Sequence, residues 1–555
     1  MDAPFSRAVR AAALVELAAE PVDLLVIGAG ITGAGIARDA AMRGMRTALV
    51  DKSDFGSGTS SRSSRLIHGG LRYLEHGHLR LVFEASRERR ILLRIAPHLV
   101  WPRSFIVPVH RGSRLPLWKL AAGLLLYDLL ATFRNVRSHE MLGKRALRRA
   151  EPGLRSGGLR GGGRYYDAQC DDARLTLANV RDAHRHGALV ANYVRVERLE
   201  TADGRVGGAH VEDLTTGARL AIRARVVVNA TGPWSDALRG TDEQGPQLCL
   251  SKGAHVIVPR WRLGNNEALT LTSPLDGRVV FVVPVGDFSY IGTTETTDDT
   301  NPDAIRATGA DVIYLLRSAN AFFPEARLTP EDVQASWAGV RPLARAGATD
   351  HPGSVSREHR ILESGHGLLS IVGGKLTTYR VMAAEVVDRV ARRLHELDGR
   401  PVPPRAATDR EPLPGGGSRD LDILVDTATQ EGIPRATAEY LVRCYGSETP
   451  AVVRLAKSDP KLARPVVPKR PVIWAQLLYA MRREMALTLG DLFIRRTSLY
   501  YEAPDHGLEA AAEVARLATA EADWDTERCE AELAAYRQQV ETMLRFRAEL
   551  SGDTV

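Results

Sequence analysis

The sequence predicts an α/β fold built on a Rossmann-like nucleotide-binding domain, combined with an antiparallel-sheet domain and an all-helical C-terminal domain. Three observations predict it. A β-α-β pattern with a glycine-rich turn lies near the start, at residues 22–51. Short apolar runs separated by Gly, Pro and Asp follow at 256–290, and helical periodicity dominates beyond the Pro/Gly-rich linker at 401–417. A chain of 555 residues also exceeds a single core, which stops growing at about 250–300 residues.

Composition excludes several classes of function. The four cysteines are far apart and form no CxxC pair, so we expect neither a disulfide framework nor a zinc or other metal site, and a reducing compartment fits. The net charge of +7 is a mild excess that suits either an anionic partner or an evenly charged surface. Without zinc-finger spacing or an RNP-like aromatic run, nucleic-acid binding is not expected. No apolar run approaches the ~18 residues of a membrane span.

The β-α-β unit carries the first chemical signal. An apolar strand, Val22–Ile27, runs into a GxGxxG turn made by Gly28, Gly30 and Gly33, and a helix follows to Met42. Glycine is needed here because a side chain would block both the tight turn and the approach of a pyrophosphate to the helix N-terminus. The second strand, Thr47–Val50, ends at Asp51, 18 residues after Gly33, where an acid accepts ribose hydroxyls. This pattern predicts a dinucleotide site and leaves NAD and FAD open.

A second segment favours FAD. Residues 226–232 read VVVNATG, an apolar strand that runs into Ala230, Thr231 and Gly232. It resembles the second nucleotide-contact segment of many FAD-dependent enzymes, although by pattern alone it is only a strand and a turn.

The specific resemblance lies at residues 60–75, SSRSSRLIHGGLRYLE, which is similar to the signature of the FAD-dependent glycerol-3-phosphate dehydrogenases. Matching segments are spread over most of the chain: NATGPW at 229–234, SKGAH at 251–255, IGTT at 291–294, GVRPL at 339–343 and GGKLTTYR at 373–380. The C-terminal segment 481–497 resembles the helical domain of that family.

The resemblance implies an activity and a cofactor. The family oxidises sn-glycerol 3-phosphate to dihydroxyacetone phosphate by hydride transfer to FAD and passes the electrons to a membrane quinone. Beyond the residues named above, it implies FAD contacts at Ser61, Ser64, Gly373, Gly374, Lys375, Leu376 and Thr377. It places Arg72, Tyr73, Arg341, Arg357 and Lys375 around the substrate, where arginine suits a phosphate dianion through bidentate charge-assisted bonds.

Two histidines are candidates for the base that takes the proton of the C2 hydroxyl. His68 and His255 both lie in family motifs, and imidazole titrates near working pH. Arg341 is expected to assist catalysis by stabilising the developing alkoxide. For each histidine, a structural role with a hydrogen bond to the backbone fits equally well, so the identity of the base stays open.

Residues 115–130, LPLWKLAAGLLLYDLL, are too short to span a bilayer and contain Trp118 and Tyr127, residue types of the membrane interface. Basic residues such as Arg111, Arg114 and Lys119 lie nearby. We expect this segment to lie on an anionic lipid surface; an ordinary buried helix is the alternative. The family resemblance implies peripheral binding at the cytoplasmic face of the cell membrane, and we expect a homodimer.

Further expectations concern the borders and the alternatives. We predict an FAD-binding domain from 21–95, 165–245 and 346–398, a substrate domain from 96–164 and 246–345, and a helical domain from 399–555. The Gly/Arg-rich residues 155–164 predict a loop, and Thr488 with Asp491 predicts a capping box. An oxidase that uses O₂, a non-catalytic membrane-attached flavoprotein and an NAD-linked enzyme are the competing functions.

Overall fold

The computed structural model describes residues 4–71, 74, 79–131, 135–240, 245–297, 301–345, 358–522 and 524–552. The strands in these residues are, in chain order, β1 (Val22–Ile27), β2 (Thr47–Val50), β3 (Leu66–Ile67), β4 (Val100–His110), β5 (Glu140–Gly143), β6 (Leu159–Cys170), β7 (Leu189–Ala191), β8 (Val194–Ala202), β9 (Arg205–Asp213), β10 (Arg219–Asn229), β11 (Leu248–Pro259), β12 (Ala268–Thr272), β13 (Val279–Val285), β14 (Phe288–Gly292), β15 (Thr296–Thr297), β16 (Ala335–Ala344), β17 (Arg360–Glu363) and β18 (Leu369–Val372).

The α-helices of the same residues are α1 (Arg7–Ala19), α2 (Ile31–Met42), α3 (Leu79–Ile95), α4 (Leu117–Leu130), α5 (Lys144–Ala150), α6 (Asp172–Arg185), α7 (Ser235–Arg239), α8 (Arg260–Leu263), α9 (Gly309–Asn320), α10 (Tyr379–Asp398), α11 (Leu421–Gln430), α12 (Arg435–Tyr445), α13 (Thr449–Ser458), α14 (Trp474–Arg483), α15 (Leu499–Glu502), α16 (Leu508–Ala522), α17 (Thr526–Leu544) and α18 (Phe546–Ser551). Among them, none is long and apolar enough to cross a bilayer.

The first sheet carries the glycine-rich turn. Within the described residues it has eight strands, in the order β17-β18-β10-β1-β2-β7, with β9 paired to β10 and β8 paired to β9. Strands β18, β10, β1, β2 and β7 are parallel. Helices α2, α6 and α10 contact one another around an apolar cluster that includes Val26, Val228 and Val386. The predicted β-α-β unit is confirmed as β1, α2 and β2. Its strands are continuous apolar runs because parallel strands are buried on both faces.

The second sheet is the predicted antiparallel one. Ten strands of the described chain follow the order β15-β11-β14-β13-β12-β4-β6-β3, with β16 on β11 and β5 on β6. Only the β12–β4 pair is parallel among these pairings. Strand β11 lies between β14 and β16, and this register places His255 opposite both Gly292 and Trp337.

The predicted loop at residues 155–164 is wrong from Leu159 onward, where strand β6 begins. Two of its glycines, Gly162 and Gly163, lie where neighbouring elements pack closely against the strand, and they do not form a turn. A Cβ on Gly162 would lie 2.5 Å from the carbonyl oxygen of Val107 in β4, and one on Gly163 would lie 2.4 Å from a methyl carbon of Leu124 in α4. Glycine inside a strand indicates this kind of close approach.

The C-terminal helices join both sheets. Phe493 and Tyr536 share an apolar cluster with Trp337 of the second sheet. Arg495 and Arg496 donate hydrogen bonds of 2.6 and 2.8 Å to Asp54, in the loop after β2. Burial alone would raise the pKa of Asp54, but these two guanidinium groups hold it at about 2. The interface is therefore built on a buried, ionised carboxylate held by two guanidinium groups, and loss of any of the three would leave buried charge uncompensated.

The predicted capping box is also confirmed. The Asp491 amide donates to Thr488 Oγ1, and the Thr488 amide donates to a carboxylate oxygen of Asp491, both at 3.1 Å. The segment that follows, Asp491–Arg496, is a π-helical turn.

Candidate active site

The glycine-rich turn leaves no room for side chains. Gly28 has a φ of +101°, and a Cβ there would lie 2.7 Å from the Ala230 carbonyl oxygen. A Cβ on Gly33 would lie 1.8 Å from the Gly28 carbonyl oxygen, and one on Gly30 would lie 3.3 Å from Ser60 Oγ. Because the turn carries no side chains, a phosphate can approach the N-terminal end of α2 closely.

Asp51 ends β2 beside this turn. Its carboxylate accepts hydrogen bonds from the Ala29 amide at 2.7 Å and from the Ser53 amide at 2.9 Å. Burial raises the pKa of Asp51 to about 6. The carboxylate has lone pairs left over, so it can also accept ribose hydroxyls, the role that the sequence predicts for it.

The serine-rich segment after β2 closes over the turn. Ser60 Oγ accepts a hydrogen bond of 2.9 Å from the Ile31 amide, the first residue of α2. Sequence reasoning selected Ser61 and Ser64 and missed Ser60, although all three lie in the same motif. Ser61 is buried, and Ser64 points to a different partner, His255.

The Ala-Thr-Gly segment lies against the glycine turn from the side of β10. The hydroxyl of Thr231 donates to the Asn229 side-chain oxygen at 2.7 Å, so this hydrogen bond stabilises the turn. Gly232 has a φ of +58° and no atom within 4 Å of the position of a Cβ. A nucleotide could therefore approach the backbone of this segment without meeting a side chain at Gly232.

The third predicted flavin segment follows β18. Gly373 and Gly374 have φ values of +75° and +89°, and a Cβ on Gly374 would lie 2.4 Å from Met382 Cε. Lys375 precedes the short turn Leu376–Thr378, which leads directly into α10. The Thr377 hydroxyl donates to the His68 carbonyl oxygen at 3.4 Å. This bond brings the third segment against the family signature.

These three segments fit an FAD molecule. They provide a bare helix N-terminus for the pyrophosphate, a carboxylate for the ribose, and a glycine pair with left-handed backbone where the other end of the cofactor would lie. The sequence places these segments about 200 and 140 residues apart, and the parallel pairing of β1, β10 and β18 brings them to one edge of the sheet.

A large cavity of about 810 Å³ lies between the second sheet and α4. Of the described site residues that the sequence predicts, Ser64, His68 and Arg341 line it. His255 lies behind Ser64, and Lys375 lies in the third flavin segment. Arg72, Tyr73 and Arg357 fall outside the described residues.

Arg341 projects from β16 into this cavity. Its guanidinium donates to Thr293 Oγ1 at 3.0 Å and to Ser251 Oγ at 3.4 Å. A Cβ on Gly253 would lie 2.5 Å from Arg341 Nη2, so the glycine of the SKGAH motif makes room for the guanidinium. These two hydroxyl partners are neutral, and a guanidinium that lines a cavity suits an anion through charge-assisted hydrogen bonds.

His255 is buried and held on three sides. Its Nε2 lies 2.9 Å from Ser64 Oγ, and its ring stacks on Trp337 with centroids 4.9 Å apart and an interplanar angle of 7°. Burial, with help from the positive charges of Arg341 and Arg65, holds the pKa of His255 well below its usual value. A Cβ on Gly292 would lie 2.0 Å from the ring. The imidazole is therefore neutral and has a fixed orientation.

The C-terminal region contacts the signature segment, which the sequence did not predict. The Arg65 guanidinium lies over the ring of Tyr501 at 4.4 Å and over that of Trp337 at 4.9 Å. The Trp337 indole donates to the Ser63 carbonyl oxygen at 3.1 Å. Tyr501 carries no motif signal, and only the tertiary packing brings it to the signature segment.

Helix α4 borders the cavity and presents an apolar face to solvent. Trp118 is 73% exposed, and Leu125 and Leu129 are each 55% exposed. The prediction of an interfacial Tyr127 is wrong, because that residue is fully buried. Its hydroxyl donates to Asp167 Oδ1 at 2.7 Å, since the phenol meets a buried carboxylate there.

Comparisons with known proteins identify the family. A family model described as FAD dependent oxidoreductase matches residues 23–380, and one described as the C-terminal domain of alpha-glycerophosphate oxidase matches residues 406–529. The aerobic glycerol-3-phosphate dehydrogenase of Bacillus subtilis is 38% identical over 507 residues, which cover 90% of each chain. The glycerol-3-phosphate dehydrogenase of Synechocystis is 35% identical over 539 residues, 94% of this chain and 96% of the relative.

The chain belongs to the FAD-dependent glycerol-3-phosphate dehydrogenase family.

A crystal structure from this family extends the likeness to three dimensions. The glycerol-3-phosphate dehydrogenase of Bacillus halodurans, complexed with FAD, superposes with a TM-score of 0.80 at 33% identity and covers 97% of this chain and 98% of its own. The L-alpha-glycerophosphate oxidase of Mycoplasma pneumoniae shares the fold at 16% identity and a TM-score of 0.53. FAD is the cofactor of the family, and the three segments described above fit it.

Proposed function

We propose that this protein oxidises sn-glycerol 3-phosphate to dihydroxyacetone phosphate and passes the electrons to a membrane quinone. One observation carries the proposal. The cavity that contains Arg341 is bounded by the signature segment with His68 on one side and by α4 with its exposed apolar face on the other. We infer from this arrangement that the phosphate site, the flavin edge and the lipid-facing helix meet at this cavity.

Arg341 is the proposed phosphate ligand. Its guanidinium reaches the cavity floor between Thr293 and Ser251, and a planar fork matches two oxygens of a phosphate dianion. The names of the relatives supply the substrate: the Bacillus subtilis and Synechocystis proteins are glycerol-3-phosphate dehydrogenases. Arg72, Tyr73, Arg357 and Lys375 are proposed to complete the substrate site.

Ser64 and His255 are the proposed proton path. Ser64 lines the cavity, and its hydroxyl lies 2.9 Å from the neutral Nε2 of His255. When the C2 hydroxyl of the substrate gives its proton to Ser64 Oγ, Ser64 gives its own proton to His255. FAD, when bound, supplies the acceptor for the hydride that leaves C2. His68, which lines the same cavity, is the alternative base.

The acceptor is proposed to be a quinone because the cavity has an apolar side. Leu115, Leu126 and Phe281 line the same cavity as Arg341. A lipid-soluble quinone would enter this cavity along α4.

A specific observation favours the second candidate, an oxidase that uses O₂. The C-terminal family model takes its description from alpha-glycerophosphate oxidase. A short-chain ubiquinone analogue and an oxygen electrode separate the two. Rapid quinone reduction with little oxygen uptake supports the first, and oxygen uptake at the full turnover rate rejects it.

Membrane binding is the part of the proposal that α4 carries. Exposed Trp118, Leu125 and Leu129 lie near the exposed basic residues Arg111 and Lys119, a combination that favours the surface of anionic lipid. The Trp118→Ala variant should lose sedimentation with phosphatidylglycerol vesicles. Trp261→Ala is the matched control, because Trp261 is 76% exposed in α8. Equal pelleting of both variants would reject α4 as the lipid-binding surface and with it the proposed place of the protein at the inner face of the membrane.

A further inference from the structure

A polar cleft lies apart from the substrate cavity, where the C-terminal helix α17 meets the serine-rich segment. It consists of two adjoining cavities of about 350 and 270 Å³. Both are lined by Arg62, Asp303, Ala535 and Gln539, and none of these residues lines the substrate cavity. The larger cavity falls within the ~300–1,000 Å³ that is usual for sites of small organic ligands.

Arg62 is the charge that makes this cleft a candidate site. Arg62 lines both cavities, and within the described chain its guanidinium forms neither a hydrogen bond nor an ion pair. Burial lowers the pKa of Arg62, and the charges of Tyr501 and Asp303 oppose this, but arginine keeps its proton in proteins. A positive charge that is partly withdrawn from water and has no anionic partner is unfavourable unless a ligand supplies one.

The other charged groups of the cleft are already paired. Asp303 accepts from Lys52 at 2.8 Å, and Glu532 lies 2.6 Å from Arg528. Arg306 lies 2.5 Å from Glu549, and Arg495 lies 2.6 Å from Asp54. Among the described residues that line the cleft, the positive charge of Arg62 is therefore the one that no ion pair compensates.

A second unsatisfied donor lines the larger cavity. The indole nitrogen of Trp234 is buried and has no hydrogen-bond partner among the described residues. Ser57 and Gln539 add a hydroxyl and an amide to the same wall. Donors around one uncompensated cation are the chemistry that binds an oxyanion.

We propose that this cleft is a second ligand site, which takes a small organic phosphate or carboxylate on Arg62. The site lies outside the reaction described above and borders the cofactor segment, because Ser60, two residues before Arg62, bonds the first amide of α2. Neither cavity is lined by Gly28, Gly30, Gly33 or Asp51, so the proposed ligand and FAD occupy separate places.

The test is a calorimetric titration of the FAD-loaded enzyme with inorganic pyrophosphate and, separately, with citrate, at constant ionic strength. The Arg341→Met background removes the guanidinium of the substrate cavity, so that anion binding there does not contribute. We expect one site per chain for at least one of the probes. Binding of pyrophosphate alone assigns the phosphate class, and binding of citrate alone assigns the carboxylate class.

Substitutions locate the bound probe. Arg62→Met, which keeps the apolar stem, should weaken binding at least about tenfold, as expected for loss of a charge-assisted bond. Ala535→Phe fills the cleft from an exposed position of α17 and should have the same effect. Ala534→Phe is the matched control, since Ala534 is also exposed and lines neither cavity, and it should leave binding unchanged.

Two results would overturn the proposal. One is the absence of binding by both probes up to about 10 mM, a concentration that detects all but negligible affinity. The other is binding that is unchanged in both Arg62→Met and Ala535→Phe, which would make the probe an adventitious ion only. The flavin absorbance of each variant verifies folding, and Ala535→Phe keeps the test valid if Arg62→Met does not fold.

Discussion

Ser64 Oγ lies 2.9 Å from Nε2 of His255, and this contact joins the cavity surface to a buried, neutral imidazole. The ring cannot turn away, because Trp337 stacks on one face and Gly292 leaves no free space at its edge. The fixed direction keeps Nε2 within hydrogen-bond reach of Ser64 Oγ, which is the geometry that a proton acceptor requires.

Loss of this proton path should lower kcat. His255→Gln and Ser64→Ala are each expected to reduce kcat for glycerol 3-phosphate by about 10²–10⁴-fold, the usual contribution of a general base, with FAD still bound. Steady-state kinetics on the FAD-loaded variants measures this. If His68→Gln loses the activity and His255→Gln keeps it, the base is His68 and the path through Ser64 is wrong.

Loss of the Arg341 guanidinium should weaken substrate binding. Removal of a charge-assisted bond costs about 1.5–3 kcal/mol, so Arg341→Met should raise KM for glycerol 3-phosphate by about 10–100-fold, while Arg341→Lys, which keeps a point charge, should fall between. Arg317→Met is the control, because Arg317 is exposed on α9. An Arg341→Met enzyme with the KM of the native one would remove this residue from the phosphate site.

A side chain at Gly30 should empty the flavin site. The Cβ would lie 3.3 Å from Ser60 Oγ, and the branched methyl groups of Gly30→Val would occupy the space where a pyrophosphate approaches α2. We expect a flavin-to-protein ratio near zero in the purified variant. Gly143→Val serves as the control, since no atom lies within 4 Å of its Cβ position. A normal flavin content in Gly30→Val would contradict the assigned cradle.

The protein should become less stable as the pH is lowered, in a range set by the buried His98. Burial lowers the pKa of His98 to about 3, with Arg174 as a further cause, whereas an unfolded histidine titrates near 6.5. Below pH ~6.5 the unfolded chain binds a proton that the folded chain does not, so the free energy of unfolding decreases as pH falls toward 3, by about 1.4 kcal/mol per unit.

Urea unfolding at pH 6.5 and 5.0 tests this dependence. His98 should account for about 2 kcal/mol of the loss over that interval, and the His98→Gln variant should lose correspondingly less. His395→Gln, an exposed position on α10, should keep the native dependence. Identical pH dependence in His98→Gln and the native protein would contradict the assignment.

Much of the fold could be predicted because its signals are local. The strand β1, the helix α2 and the strand β2 each carry their own periodicity, and the glycines between them are required by contacts as close as 1.8 Å. The first half of strand β6, residues 159–164, is predicted as a loop, since its glycines are typical of turns. Their actual cause, the approach of Leu124 and Val107, is a tertiary contact that no local pattern contains.

The candidate site follows the same division. Ser64, His68 and Arg341 could be found because they lie in long motifs, and the structure brings them to one cavity. Ser60 and Tyr501 could not be separated from their neighbours by pattern, because their roles depend on the Ile31 amide and the Arg65 guanidinium, which come from other segments. Tyr127 was misassigned because its amphipathic character suits an interface, while its partner Asp167 is distant in sequence.

The most direct test of the central claim is an anaerobic absorption spectrum of the FAD-loaded protein before and after addition of sn-glycerol 3-phosphate, with sn-glycerol 1-phosphate as the control. The account predicts that the oxidised flavin band bleaches with the first compound and persists with the second, and that dihydroxyacetone phosphate forms in equal amount. A flavin band that stays oxidised with sn-glycerol 3-phosphate would keep the fold and the cofactor and contradict the proposed substrate.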